Sequence, residues 1–284
     1  MNEAPVRPMT LAYSPCPNDT YIFAALSNGL LDDGAEPQLR VALEDVEALN
    51  NSALKGDHEL SKVSYGAIPD LLDRYRILRA GGALGHGCGP LLIAKPGAGK
   101  TLEDFREKLI AIPGERTTAF LLLRLALGAS PHIIQMRFDQ IVEAVQNGTV
   151  DAGLIIHESR FTYQDAGLNA IVDLGDWWEK QTGLPIPLGA ILVRNDVPDD
   201  QARGINDSIR KSLQFAREND DKVMGYVRQN AAETSEDVMR KHIELYVNEY
   251  SDDIGEHGIE AVRELFARGH KAGFIPDSAE PKFV

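Results

Sequence analysis

The order of segments along this 284-residue chain predicts an α/β protein of two lobes with a ligand cleft between them. Three observations carry that expectation. Short strand-like runs alternate with helical stretches for roughly two-thirds of the chain, a pattern typical of mostly parallel sheets. The alternation restarts after PGAGK, which suggests a second unit. Beyond the last strand only helices follow, so the chain is expected to return to its first unit to finish.

The elements follow in order. TLAYS (10–14) reads as a strand, PCPND as a turn, and Thr20 to Asn28 as a helix ended by Gly29. EPQLRVALE (36–44) is the next strand. Asp45 to Lys55 is a helix with Val46, Leu49 and Leu54 on one face, closed by Gly56. LSKVS (60–64) is a short strand leading to a helix over IPDLLDRY (68–75), and RILRA and PLLIAK flank the glycine-rich GGALGHGCG at 81–89. In the second unit KLIAIP (108–113) is a strand and TTAFLLLRLAL (117–127) an apolar helix stopped by Gly128. HIIQMRF is a strand, Asp139 caps a helix over QIVEAVQ, and DAGLII and GAILVRNDV (189–197) are two more strands. Helices are expected over about 199–230, 235–250 and 258–271. There is no internal repeat.

The crossings near 90–95 and 189–194 divide the chain into a discontinuous first lobe, 1–93 plus 192–284, and a second lobe, 94–191. This is the organisation of a type II periplasmic-binding-protein-like fold. A single doubly wound sheet is the competing architecture.

Composition narrows the function classes. A net charge of −14 argues against a nucleic-acid partner, which needs a basic face, but leaves room for a small anionic molecule in a locally positive pocket. No run approaches the roughly 18 apolar residues of a membrane span. The opening MNEAPVRPMT lacks the apolar core of a secretory signal, so a cytoplasmic location is expected. Cys16 and Cys88 form neither a CxxC pair nor a disulfide framework and are expected to be buried or pocket-wall thiols.

Ligands of open α/β sheets bind beyond the carboxyl ends of strands, where loops lead into helix N-termini. Four segments fit. In SPCPNDT, Ser14 ends the strand and Asn18, Asp19 or Thr20 supplies a cap oxygen. In PGERTTAF, Thr117 or Thr118 caps the next helix. Its first free N–H groups, those of Thr118 and Ala119, would take a carboxylate together with a hydroxyl. In SKVS, Lys62 offers charge and Ser64 a hydroxyl, with Val63 between them. In IIHES, an apolar strand ends in His157, whose imidazole titrates near neutral pH and can accept a proton and return it. The histidines at 58, 86, 132, 242, 257 and 270 lie in loops or on charged helices and look less well placed.

GGALGHGCGP lacks the spacing of a dinucleotide loop and the lysine of a phosphate loop, so it reads as a tight crossover beside the cleft. No H-E-x-x-H or G-x-S-x-G occurs, and no metal ligands fall at recognised spacing. Chemistry without metal or cofactor is the expectation.

SPCPNDTYIFAAL, LEDVEALN, SKVSYGA, RAGGALGHGCGPL, IPGERTTAFLLL, AGLIIHESRFTY, VDLGDWWEKQTGLPIPLGAI and the terminal KFV, in register from about residue 10 onward, resemble the 1,4-dihydroxy-6-naphthoate synthases of the futalosine route to menaquinone. The resemblance implies the two-lobed binding-protein fold. It also implies a cofactor-free lyase that converts cyclic dehypoxanthinyl futalosine to 1,4-dihydroxy-6-naphthoate and dihydroxyacetone. The HES histidine, here His157, would be the proton acceptor. Substrate contacts would fall on Lys62, Val63, Ser64, Thr117 and Thr118. The alternatives are chorismate dehydratase, the sister enzyme of that route, for which no such histidine is a hallmark, and a non-catalytic solute receptor, which would be exported or lipid-anchored.

Overall fold

The computed structural model describes residues 8–31, 39–232, 235–276 and 280–284. The chain begins with β1 (Met9–Tyr13), α1 (Pro17–Ser27), β2 (Leu39–Leu43), α2 (Val46–Lys55), β3 (Leu60–Ser64), β4 (Tyr75–Ile77) and β5 (Ala83–Gly85). It continues with β6 (Leu91–Ala94), β7 (Leu109–Ile112), α3 (Thr118–Leu127), β8 (His132–Gln135), α4 (Ile141–Asn147), β9 (Ala152–Ile155), α5 (Ser159–Thr162), β10 (Asn169–Asp173) and α6 (Leu174–Thr182). It closes with β11 (Ile186–Arg194), α7 (Asp199–Glu218), α8 (Asp220–Asn230), α9 (Glu236–Tyr246), α10 (Glu249–Asp252) and α11 (Gly255–Lys271).

Two sheets result, one per lobe. The first has the order β2-β1-β3-β11-β4, with β5 also paired to β11; the second has the order β10-β6-β9-β7-β8. Neither is mostly parallel. β1 runs parallel to β2 and β3, and β7 to β8 and β9, but β11 and β6 are antiparallel to every strand they meet. β6 and β11 are the strands by which the chain enters each sheet from the other, so they arrive from the opposite side. β6 lies wholly in the second sheet and β11 wholly in the first.

Local chemistry explains the elements that match the expectation. Buried runs such as LLIA in β6 and LIAI in β7 have the near-continuous apolar character of strands covered on both faces. Asp45 caps α2 by accepting from the N–H groups of Glu47 and Ala48, and Gly56 ends it in the left-handed conformation. Thr117 caps α3 and Gly128 closes it. The terminal KFV continues the first sheet past β4: Ile77 N–H donates to Lys282 O at 2.7 Å and Val284 N–H to Ile77 O at 2.9 Å.

Other elements differ. IPDLLDRY forms only a 3-10 turn, Ile68–Asp70, and Tyr75 instead begins β4, because β11 supplies a partner for it at Arg194. α1 starts at Pro17, a residue suited to the first helical position, so Asn18, Asp19 and Thr20 lie inside the first turn and none of them caps it. Asp139 does not cap α4 either; its carboxylate accepts from the Arg137 guanidinium at 2.7 Å, and a 3-10 turn precedes the helix. The 199–230 stretch breaks at Asn219 into α7 and α8. β5, β10 and α6 carry no sequence-level expectation. The strand expected from residue 36 is observed from Leu39; 36–38 lie outside the described residues.

α1 is buried from Pro17 to Leu26 because α7, α8 and α9 all pack on it. A helix buried all round shows no amphipathic stripe. The same packing brings α9 over the start of α1, which matters for the site.

Candidate functional site

A pocket of about 710 Å³, the open solvent at its mouth included, lies between the two sheets. Ten of the residues singled out in the sequence line it: Ser14, Asn18, Asp19, Lys62, Val63 and Ser64 from the first lobe, and Thr117, Thr118, Ala119 and His157 from the second; Thr20 does not. They arrive from strand ends and helix starts of both lobes.

On the first-lobe side a buried polar chain holds the wall. Lys62 Nζ donates to Asp19 Oδ1 at 2.6 Å and to Gly81 O at 3.3 Å. Asp19 also accepts from Asn18 Nδ2 at 2.8 Å and from the Ser14 hydroxyl at 2.8 Å. The lysine charge is therefore balanced within the protein, and the carboxylate at the start of α1 makes that helix end a poor seat for an anion. Ser64 differs. Its N–H donates to Asn50 Oδ1 and its Oγ accepts from Asn50 Nδ2, which leaves the hydroxyl proton free to donate into the cavity.

The start of α3 is tied across the cleft. Gly66 N–H donates to Thr118 Oγ1 at 3.0 Å, and that hydroxyl donates to Leu188 O at 2.9 Å. A side chain at Gly66 would meet Arg116 O and Thr117 O at 2.9 Å, so this close approach requires glycine. Thr117 Oγ1 donates to Gly114 O and caps Phe120 N–H. Both threonine hydroxyl protons are thus donated within the protein, so the donors that this helix start offers are its backbone N–H groups. The first-turn N–H groups of Thr118 and Ala119 have no protein acceptor among the described residues and carry the positive end of a ten-residue helix.

His157 follows β9 with φ +59°, the only non-glycine described residue with positive φ. A left-handed backbone at such a residue costs roughly 1–3 kcal/mol and persists where surrounding contacts impose it. The turn points the ring at the first lobe, with Nδ1 at 3.4 Å from Cys16 Sγ and the Phe138 ring edge-on at 4.9 Å between centroids. Nε2 is buried without a protein partner among the described residues. Arg160, in the same motif, faces away from this chemistry: it donates to Gly89 O, Gly87 O and Asp173, binding the loop to the glycine-rich crossover.

Burial lowers the His157 pKa to about 4, well under the near-neutral value expected of a free imidazole. His242 is likewise pushed well below 6.5 by burial, and by the nearby His157 and Lys62. Each imidazole is neutral when folded and binds a proton more readily when unfolded. Their contribution to stability is complete above pH about 6.5 and is lost as the pH falls through the folded value. Denaturant midpoints should therefore drop between about pH 6.5 and 4, and H157N should flatten part of that drop. An unchanged acid slope in the variant would show that His157 is not held neutral by the fold.

Sequence reasoning passed over the third wall. His242 and Tyr246, one turn apart on α9, line the cavity with Cys88. The available signal was the spacing of Met239, His242 and Tyr246, the buried face of an otherwise charged helix. Both cysteines are buried and free, as expected; Cys88 lines the cavity, while Cys16 lies behind it against His157 Nδ1. Tertiary structure also assembles a group that no sequence spacing announces: Cys16, His157 and Glu158 each bring a ligand atom within 4.8 Å of the others, a set able to hold a metal ion. Burial raises the Cys16 thiol well above its ordinary value, so at neutral pH it offers a protonated sulfur. Among the described residues no helix is long and apolar enough to cross a membrane.

The chain matches the menaquinone biosynthesis family over residues 9–271. A Thermus thermophilus protein named 1,4-dihydroxy-6-naphtoate synthase is 46% identical over 97% of this chain and 99% of its own length. A Streptomyces coelicolor protein of the same name is 42% identical over 94% and 95%. A solved Archaeoglobus fulgidus structure superposes with a TM-score of 0.87 at 34% identity, covering 94% of this chain and 98% of that one. The alkanesulfonate-binding protein SsuA of Xanthomonas axonopodis pv. citri, solved with MOPS, superposes at 0.73 with 12% identity over 97% and 96%; at that identity it establishes the fold alone, a periplasmic-binding-protein architecture.

Proposed function

The chain belongs to the menaquinone biosynthesis family, and from that premise we propose that it is a carbon–carbon lyase, a 1,4-dihydroxy-6-naphthoate synthase acting on cyclic dehypoxanthinyl futalosine. The observation that carries this reading is His157 Nε2, a buried imidazole nitrogen without a protein partner among the described residues, on a left-handed residue at the wall of the interlobe cavity. In this reading His157 is the general base. It removes a proton from the spiro-linked, sugar-derived part of the substrate, a carbon–carbon bond breaks to release dihydroxyacetone, and the developing naphthalene ring supplies driving force.

The substrate carboxylate is assigned to the N–H groups of Thr118 and Ala119, with the Ser64 hydroxyl as a further donor, because the start of α1 is already occupied by Asp19. Lys62, Ser14, Asn18 and Val63 shape the opposite wall. A base with pKa about 4 is unprotonated at neutral pH but weak, so orientation and exclusion of water must carry more of the rate than a neutral-pKa base would require. The acid limb of kcat/KM should then lie near pH 4; a limb near 6.5 would mean that the working base is solvated.

The decisive experiment is incubation with the cyclic futalosine derivative or with chorismate, followed by mass analysis. Dihydroxynaphthoate and dihydroxyacetone from the first, with chorismate untouched, are expected. Dehydration of chorismate, or no change in either compound, would overturn the assignment.

A further inference from the structure

The tautomer of His242 is set by a chain of hydrogen bonds that begins at a charge. Asp19 Oδ1 accepts from Lys62 Nζ at 2.6 Å and from the Asn18 side chain at 2.8 Å. A carboxylate oxygen only accepts, so the Asn18 end facing it is the NH2 group, and the other end, Oδ1, faces His242 Nε2 at 2.9 Å. An amide oxygen also only accepts. Nε2 therefore carries the hydrogen, and Nδ1 carries the lone pair.

That Nδ1 is buried and has no hydrogen-bond partner among the described residues. Burial, with His157 and Lys62 nearby, keeps the ring neutral, so Nδ1 stays an acceptor in need of a donor. The residue is 1% exposed and lines the cavity. One turn on, the Tyr246 ring packs on the imidazole with centroids 4.6 Å apart, and its hydroxyl has no hydrogen-bond partner among the described residues. The His157 ring lies 6.3 Å away, stacked at 20°. No protein donor is therefore supplied to Nδ1, while the α3 wall of the same cavity supplies donors suited to an acid.

We propose that α9 forms the hydroxyl-recognising wall of the cavity, with His242 Nδ1 accepting a hydrogen bond from a hydroxyl of the ligand and Tyr246 beside it. The ligand class is a carboxylic acid that also bears hydroxyl groups: the acid is held at α3 and a hydroxyl at α9. This rests on the synthase reading and adds a specificity-determining residue to it.

Equilibrium binding of 1,4-dihydroxy-6-naphthoate and of 2-naphthoate, which keeps the ring and the acid but has no hydroxyls, isolates the contact. The variant is H242Q, because glutamine places an N–H donor where Nε2 was and retains the Asn18 bond while removing the Nδ1 acceptor. The wild type should prefer the dihydroxy compound, and H242Q should lose about tenfold of that preference with 2-naphthoate affinity unchanged. A preference retained within twofold, or an equal loss for both ligands, would overturn the inference. Failure of the wild type to bind either naphthoate would overturn the synthase reading and this inference with it. Should H242Q not fold, H242N restores an acceptor near Nδ1 at the expense of the Asn18 bond; it should keep the preference, and losing it would count against the proposal.

Discussion

H157A should fold, bind ligand, and turn over about 10²–10⁴-fold more slowly than the wild type, the range expected when a general base is removed. The size of the effect follows from the geometry. Lys62 is committed to Asp19, and His242, although its Nδ1 is also unpartnered at the cavity among the described residues, is anchored through Asn18 on the first lobe and is assigned to hydroxyl binding. Alanine does not relieve the left-handed backbone at φ +59°, whereas asparagine tolerates it, so H157N separates loss of the base from backbone strain. Both variants should show the same loss in kcat, with product affinity within a few-fold of the wild type. Turnover within tenfold of the wild type in either folded variant would remove His157 from the role.

The second large effect concerns stability. D19A removes the partner of a buried lysine and leaves Lys62 Nζ with only Gly81 O at 3.3 Å. Breaking a buried pair by deleting one member costs about 3–5 kcal/mol, because the remaining charge stays out of water. The hydroxyl of Ser14 and the amide of Asn18 lose their acceptor in the same step, and Asn18 no longer has a fixed orientation towards His242. The urea midpoint should fall accordingly. The double variant D19A/K62M, which removes the stranded charge, should recover much of the loss. An unfolding free energy for D19A within about 1 kcal/mol of the wild type would mean that water reaches the pair and that the wall is not dry.

Much of the site was legible because its chemistry lies where strands end and helices begin. LIAI, AGLI and LSKVS are apolar or strand-forming runs whose carboxyl ends must surface, and the residues that follow them, such as His157 and the Thr117 cap, inherit a place at the cleft. The N-caps at Asp45 and Thr117 are local hydrogen-bond chemistry and are readable to within a residue: the sequence reads Asp45 as the first residue of its helix and leaves the α3 cap open between Thr117 and Thr118. Local reading failed where a partner distant in sequence overrode propensity. Tyr75 became a strand because β11 was beside it, and Asp19 became the counter-ion of Lys62, 43 residues away, rather than a helix cap.

What the sequence determined by itself is the α/β class, the two-lobed organisation and the candidate residues on strand ends and helix starts, since all of these follow from hydrophobic period and short-range capping. What only the tertiary structure decided is which of those groups remain free. The hydroxyl protons of Thr117 and Thr118 are donated within the fold, Arg160 ties a loop, and His242 arrives from a charged helix more than 200 residues along the chain from Asn18. The reason is physical: a hydrogen-bonding group is available to a ligand only if no neighbour has satisfied it, and those neighbours are set by packing between elements far apart in the chain.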